Sequence, residues 1–171
     1  YMVTWSFEHV LREYSVPAGI KQDGRLIEVD AGSGREAFVF SRCGQSEALE
    51  CAITPGMPSF PHTRPALVEF AEKTIRWPGH WQAIETLREC GLLSLTPVQQ
   101  GGQTIVPRQF LSQLLSPALQ PRPEDRDVCV MYNTATGEKQ GQRLRLEYHL
   151  WHERPPSSEL SAMMRVTGFP A

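Results

Sequence analysis

Arg76, Trp77, His80 and Trp81 stand around a Pro78-Gly79 corner in the stretch KTIRWPGHW, residues 73–81, and no other segment sets so much polar chemistry beside so rigid a bend. A strand over Lys73 to Trp77 alternates its side chains, which sends Thr74 and Arg76 to a polar face and Ile75 and Trp77 to the core. Pro78 offers no amide to a ladder and Gly79 permits a sharp bend, so the strand is expected to end there and a helix to begin at once. Guanidinium is a planar, permanently charged fork that matches a carboxylate with two parallel hydrogen bonds. The first turn of a helix adds unpaired amides and a partial positive charge. Together they suit an anion, and an amino-acid carboxylate fits the corner. His80 in that turn would donate to the anion or move a proton near neutral pH, with the positive helix end favouring its neutral form.

The same spacing permits plainer arrangements: Arg76 paired with Glu72 or Glu69, and His80 capping the helix or packing against Trp81. Spacing alone leaves both open. His149 and His152 lie three apart on a predicted strand and would face opposite sides, which argues against a zinc pair. The chain contains no GxSxG elbow, HExxH helix or Walker loop, and no nucleophile–base pair for a self-contained hydrolase. AGSGRE, residues 31–36, has glycines, but it sits between two strand-like runs rather than opening a helix, so it reads as a turn and not a phosphate cradle.

The elements that must position the corner follow from periodicity. Ser6 to Tyr14 reads as a helix with Phe7, Val10, Leu11 and Tyr14 on one face and Ser6 as N-cap. Asp23-Gly24 between Ala18–Gln22 and Arg25–Val29 is a two-residue hairpin signal. Ala37–Phe40 and Ala48–Ile53 are further strands. Thr54–Pro65 carries four prolines and reads as a surface loop, followed by a short helix over Ala66–Glu72. A helix over Gly79–Cys90 would turn Ala83, Ile84, Leu87 and Cys90 inward, with Gly91 closing it. A helix over Pro107–Leu119 would turn Phe110, Leu111, Leu114 and Leu115 inward. Val128–Trp151 alternates as a hairpin with one wet face, turning near Thr136-Gly137, and Ser157–Val166 is helical. The mixture predicts an α+β domain: a mixed, largely antiparallel sheet with helices packed on one face.

The chain has 171 residues, 40% apolar, and a formal charge of -2, a size for one domain with one core. Its basic residues are scattered, so no charge pattern points to nucleic acid or an anionic membrane. No run approaches the roughly 20 apolar residues of a membrane span. Cys43, Cys51, Cys90 and Cys129 are too few and dispersed for a disulfide framework, which favours a reducing cytoplasmic setting.

The stretches VTWSFEHVLREYSVPAGIKQDGRLIEVD (residues 3–30), EKTIRWPGHWQAIETLRECGLL (72–93) and SAMMRVTGFPA (161–171) resemble the saccharopine dehydrogenase-like proteins, the L-lysine 6-dehydrogenase type among them. In that family a Rossmann domain binds the nicotinamide cofactor and a second domain supplies the substrate pocket and subunit contacts. The resemblance implies that this chain is the second domain, with a fold like the C-terminal domain of glyceraldehyde-3-phosphate dehydrogenase. It implies NAD or NADP held mainly by a separate Rossmann domain, no metal, an amino acid such as lysine or saccharopine as substrate, and a homodimer. By the same resemblance Trp5, Ser6 and Arg76 line the amino-acid pocket, His80 is a candidate either to support the pocket from behind or to transfer a proton, and Thr167 and Gly168 belong to a motif near the domain junction. Met164 and Val166 depart from that motif, which motivates an alternative: a binding or assembly module that keeps the fold without the dehydrogenase reaction.

Overall fold

The computed structural model describes residues 2–3, 6–42 and 44–154, so Trp5, Thr167, Gly168 and the helix expected over Ser157–Val166 lie outside the described residues. The chain divides into two compact units, Trp5–Leu119 and Tyr1–Thr4 with Gln120–Ala171.

The first unit runs α1 (Phe7–Glu13), β1 (Ala18–Gln22), β2 (Arg25–Val29), β3 (Glu36–Arg42), β4 (Gln45–Ile53), α2 (Phe60–Thr63), β5 (Lys73–Arg76), α3 (His80–Glu89), β6 (Val98–Gln100), β7 (Gln103–Ile105) and α4 (Pro107–Ala118). Every described ladder is antiparallel: β1-β2, β3-β4-β5 and β6-β7. This is the expected α+β class. The β1-β2 hairpin closes on Asp23 and Gly24 with φ of 50° and 75°, the two positive values a type I′ turn requires.

Leu11 on α1 and its C-cap residue Tyr14, Ala52 on β4, Trp81 and Ile84 on α3, Leu93, and Leu111 on α4 form one buried cluster, joined by Phe7, Val10, Leu87, Leu92 and Leu115. The helices therefore share the face of the three-stranded sheet that carries Ala52. Each large apolar side chain buried there contributes about 1.5–3 kcal/mol relative to exposure.

Several expectations need correction. Trp77 is 42% exposed and Trp81 is 1% exposed, so the aromatic in the core is the one on α3. The reason is that β5 ends at Arg76, and strand alternation no longer directs the residue at the corner. Ala83 and Cys90 are exposed, and α3 turns Trp81, Ile84 and Leu87 inward. On α4, Phe110 and Leu114 are exposed while Leu111 and Arg108 are buried. Arg108 reaches Glu8 of α1, at 3.4 Å, without hydrogen-bond geometry. Ala66–Glu72 is not helical; the helical turn falls earlier, at Phe60–Thr63, with a proline in its first turn where no amide is needed. Phe70 instead bridges Lys21, whose buried ammonium donates to the carbonyls of Arg64 and Pro65 at 3.0 Å each.

The second unit is built on a long hairpin, β8 (Asp127–Lys139) and β9 (Gln142–Arg154). Its turn is Gln140-Gly141, with φ of 55° and 75°, and Gly137 lies inside β8 opposite Leu144. A type I′ turn at Thr136-Gly137 would force a β-branched residue to positive φ, which Gln140 accommodates at less cost. The apolar row of β9 is exposed, with Leu144 at 42%, Leu146 at 67% and Tyr148 at 56%.

Candidate functional site

The Pro78-Gly79 corner forms as the residue types require. Gly79 takes φ of 92°, closed to most side chains, and α3 starts at His80. Arg76 is the last residue of β5 and lies opposite Glu50 in the ladder, on the same face as Thr74 and the fully buried Ala52. The face expected to be polar is therefore the one that meets the helices. Arg76 is half-buried there, and the tip of α1 comes down on it.

Tyr14 is the centre of the arrangement. Arg76 Nε donates to Tyr14 Oη at 2.8 Å, and His80 Nε2 lies 3.1 Å from the same oxygen. The guanidinium also sits 5.8 Å from the Tyr14 ring centroid, and Tyr14, His80 and Trp81 meet edge to face at 5.1–5.4 Å. Arg76 Nη1 donates to the carbonyl of Ile75 at 2.9 Å. A guanidinium has five N–H donors. With one used at Nε and one at Nη1, the remaining donors on Nη1 and Nη2 have no protein acceptor among the described residues. They form the end-on fork that grips a carboxylate.

The acids that would have closed this fork are engaged elsewhere. Glu69 accepts the Asp23 amide at 2.8 Å. Glu72 accepts from Thr54 Oγ1 at 2.8 Å and from the Gly56 amide at 3.0 Å, and Thr54 in turn meets Thr74 Oγ1 at 2.6 Å. Glu50, across the ladder, accepts the Trp81 amide at 2.8 Å. That contact revises the expected helix end: the Trp81 amide goes to a protein carboxylate, and the His80 amide to the Trp77 carbonyl at 3.2 Å. The open positive group at the corner is the guanidinium rather than the helix terminus.

Burial shapes the protonation of the cluster. His80 is lowered from 6.5 to about 4, first by desolvation and then by the Arg76 charge, with Glu50 opposing. Burial pushes the Tyr14 hydroxyl up, against the opposing charge and hydrogen bond of Arg76. Burial also raises Glu72, while its hydrogen bonds from Thr54 and Gly56 pull the other way.

Ser6 is placed apart from this centre. It holds the N-cap position of α1 without a side-chain cap bond, its Oγ instead 2.7 Å from His9 Nδ1, whereas Tyr14, the C-cap residue, touches Arg76. The helix separates the two by about 12 Å along its axis. Sequence reasoning placed Tyr14 only as a core position and Glu50 only as a strand residue. The available signal for Tyr14 was chemical: a buried tyrosine needs a partner for its hydroxyl.

The AGSGRE segment does not fit a dinucleotide. The Gly32 amide donates to Ile53 O at 2.8 Å, the Ile53 amide to Ser33 O at 2.9 Å, and strand β3 follows instead of a helix. Among the described residues no group of three or more His, Cys, Asp or Glu could hold a metal ion, and no helix is long and apolar enough to cross a membrane.

Fold and site together define an α+β protein with an arginine-lined corner in its first unit. The family of the saccharopine dehydrogenase C-terminal domain matches residues 1–171, and the chain belongs to that family. Among solved structures it is similar to apo histidine-tagged saccharopine dehydrogenase (L-Glu forming) from Saccharomyces cerevisiae. The TM-score is 0.65 at 15% identity, covering 90% of this chain and 48% of that one, so the likeness is one of fold and the chain spans about half the length of that relative. No curated protein matches the chain by sequence.

Proposed function

We propose that the chain is the substrate-binding and dimerisation domain of a saccharopine dehydrogenase-like, NAD(P)-dependent oxidoreductase acting on the C–N bond of an amino acid such as lysine or saccharopine. The observation that carries this reading is the Arg76 guanidinium, half-buried, held by Tyr14 and Ile75, and joined to no carboxylate among the described residues. A buried cation kept away from its nearest acids is costly unless something anionic completes it. An α-carboxylate does so with two hydrogen bonds.

The redox step belongs to the nicotinamide cofactor and to a Rossmann domain that holds it, since the glycine turn of this chain is consumed by backbone pairing. This chain's part is to bind the amino acid and fix its orientation, which is the larger share of what a protein adds to cofactor chemistry. Arg76 takes the carboxylate, and His80, neutral at pH 7, is the group beside it for hydrogen bonding and proton transfer. By family resemblance alone Trp5, Ser6, Thr167 and Gly168 are proposed as further substrate residues; Ser6 stands at the end of α1 away from Arg76, and the other three lie outside the described residues. A cytoplasmic homodimer is the proposed assembly.

The deciding experiment titrates L-lysine and saccharopine against the full-length protein with NAD and with NADP. Turnover of one of them by the full-length protein and none by the 171-residue chain alone supports the reading. Dehydrogenase turnover by the isolated chain would overturn it. A full-length protein that folds and binds neither amino acid would favour the non-catalytic assembly module.

A further inference from the structure

The hydroxyl of Tyr14 has one proton to give and sits between two nitrogens. Arg76 Nε, 2.8 Å away, can only donate, so Oη accepts from it. His80 Nε2 at 3.1 Å is the other polar partner of Oη among the described residues. Tyr14 is 1% exposed, so solvent cannot take the hydroxyl proton, and a buried O–H left without an acceptor is costly. The proton must therefore go to Nε2, which requires Nε2 to be unprotonated.

We infer that Tyr14 is a positioning residue for the site: its hydroxyl holds the Arg76 guanidinium and locks His80 as the neutral tautomer with the proton on Nδ1. One oxygen thus sets both the direction of the carboxylate fork and the tautomer of His80. The charged groups around the imidazole agree with a neutral ring, since Arg76 of β5 disfavours protonation more than Glu50 of β4 favours it.

The consequence for a bound amino acid rests on the proposed function, but the tautomer itself does not. Nitrogen NMR of the 171-residue chain, labelled at histidine, reads the tautomer directly at pH 7, and His80→Asn assigns the resonance among the five histidines. The expected result is a protonated Nδ1 and an unprotonated, hydrogen-bonded Nε2 in the native chain. Tyr14→Phe keeps the ring packed against Trp81 and should shift His80 toward the Nε2–H tautomer that free imidazole side chains prefer. A protonated Nε2 in the native chain overturns the inference, as does an unchanged tautomer in a folded Tyr14→Phe chain. If Tyr14→Phe does not fold, the native spectrum alone decides. Undiminished L-lysine affinity in full-length Arg76→Ala would remove the carboxylate reading while leaving the tautomer assignment standing.

Discussion

Glu50 lies directly opposite Arg76 in the β4-β5 ladder, yet its carboxylate accepts the amide of Trp81 at 2.8 Å. The contact places an acid on the positive end of α3, where it stabilises the helix, and keeps that acid off the guanidinium. A cross-strand ion pair is worth only about 0.2–1 kcal/mol. A charged acceptor for a half-buried amide at a helix N-terminus is worth as much or more. The geometry that satisfies the helix therefore leaves the arginine open.

Glu50→Ala should destabilise the chain by about 1–2 kcal/mol through the lost cap, with Glu50→Gln milder because an amide oxygen still accepts. Denaturant unfolding of both variants checks the order. Equal stability of Glu50→Ala and the native chain would contradict the capping role.

Arg76→Ala in the full-length protein should weaken amino-acid binding by about 2–5 kcal/mol if the carboxylate is desolvated. Arg76→Lys should restore little, because an ammonium cannot donate to Tyr14 and also present a planar fork. Calorimetric or fluorescence titration with L-lysine and saccharopine provides the comparison.

Two buried groups give opposite pH dependences. His80 is lowered from 6.5 to about 4, so the unfolded chain binds the extra proton first and stability falls as pH drops through that window. Discounted for a partly exposed ring, this amounts to about 1–2 kcal/mol, and His80→Asn should remove it. Glu72 is raised above its ordinary 4.5, so the folded chain holds its proton longer and stability is lost as pH rises from 4.5 toward the folded value. Glu72→Gln, which keeps acceptors for Thr54 and Gly56, should gain on the native chain as pH rises. Unfolding curves from pH 4 to pH 7 measure both slopes.

Trp81→Ala should cost about 3–5 kcal/mol, whereas Trp77→Ala should change stability by less than about 0.5 kcal/mol. Denaturation reads the difference, and the fluorescence lost with Trp81 should be the more blue-shifted. Equal costs would mean that the core aromatic had been misplaced.

Local chemistry was legible in the order of residues. The hairpin at Asp23-Gly24 has the bounds read from the sequence, because a type I′ turn is decided by two residues and flanking alternation. α1, α3 and the Pro-Gly corner followed from 3.6-residue spacing and from what proline and glycine permit. The α+β class followed from the mixture of those periods. At the long hairpin the sequence pointed to Thr136-Gly137, whereas ladder register and the steric cost of a β-branched residue at positive φ put the turn at Gln140-Gly141.

The sequence by itself therefore determined that a bend would set Arg76 and His80 side by side, since strand end, proline, glycine and helix start are all specified within nine residues. Only the tertiary structure decided what that pair would face. Tyr14 reaches Arg76 and His80 from 62 and 66 positions away, and Glu50 reaches Trp81 from 31 away. Such contacts depend on how α1 and β4 dock. Docking is driven by non-directional burial of Leu11, Ala52, Trp81 and Ile84, which periodicity marks as apolar without saying which polar tips will meet at their edge.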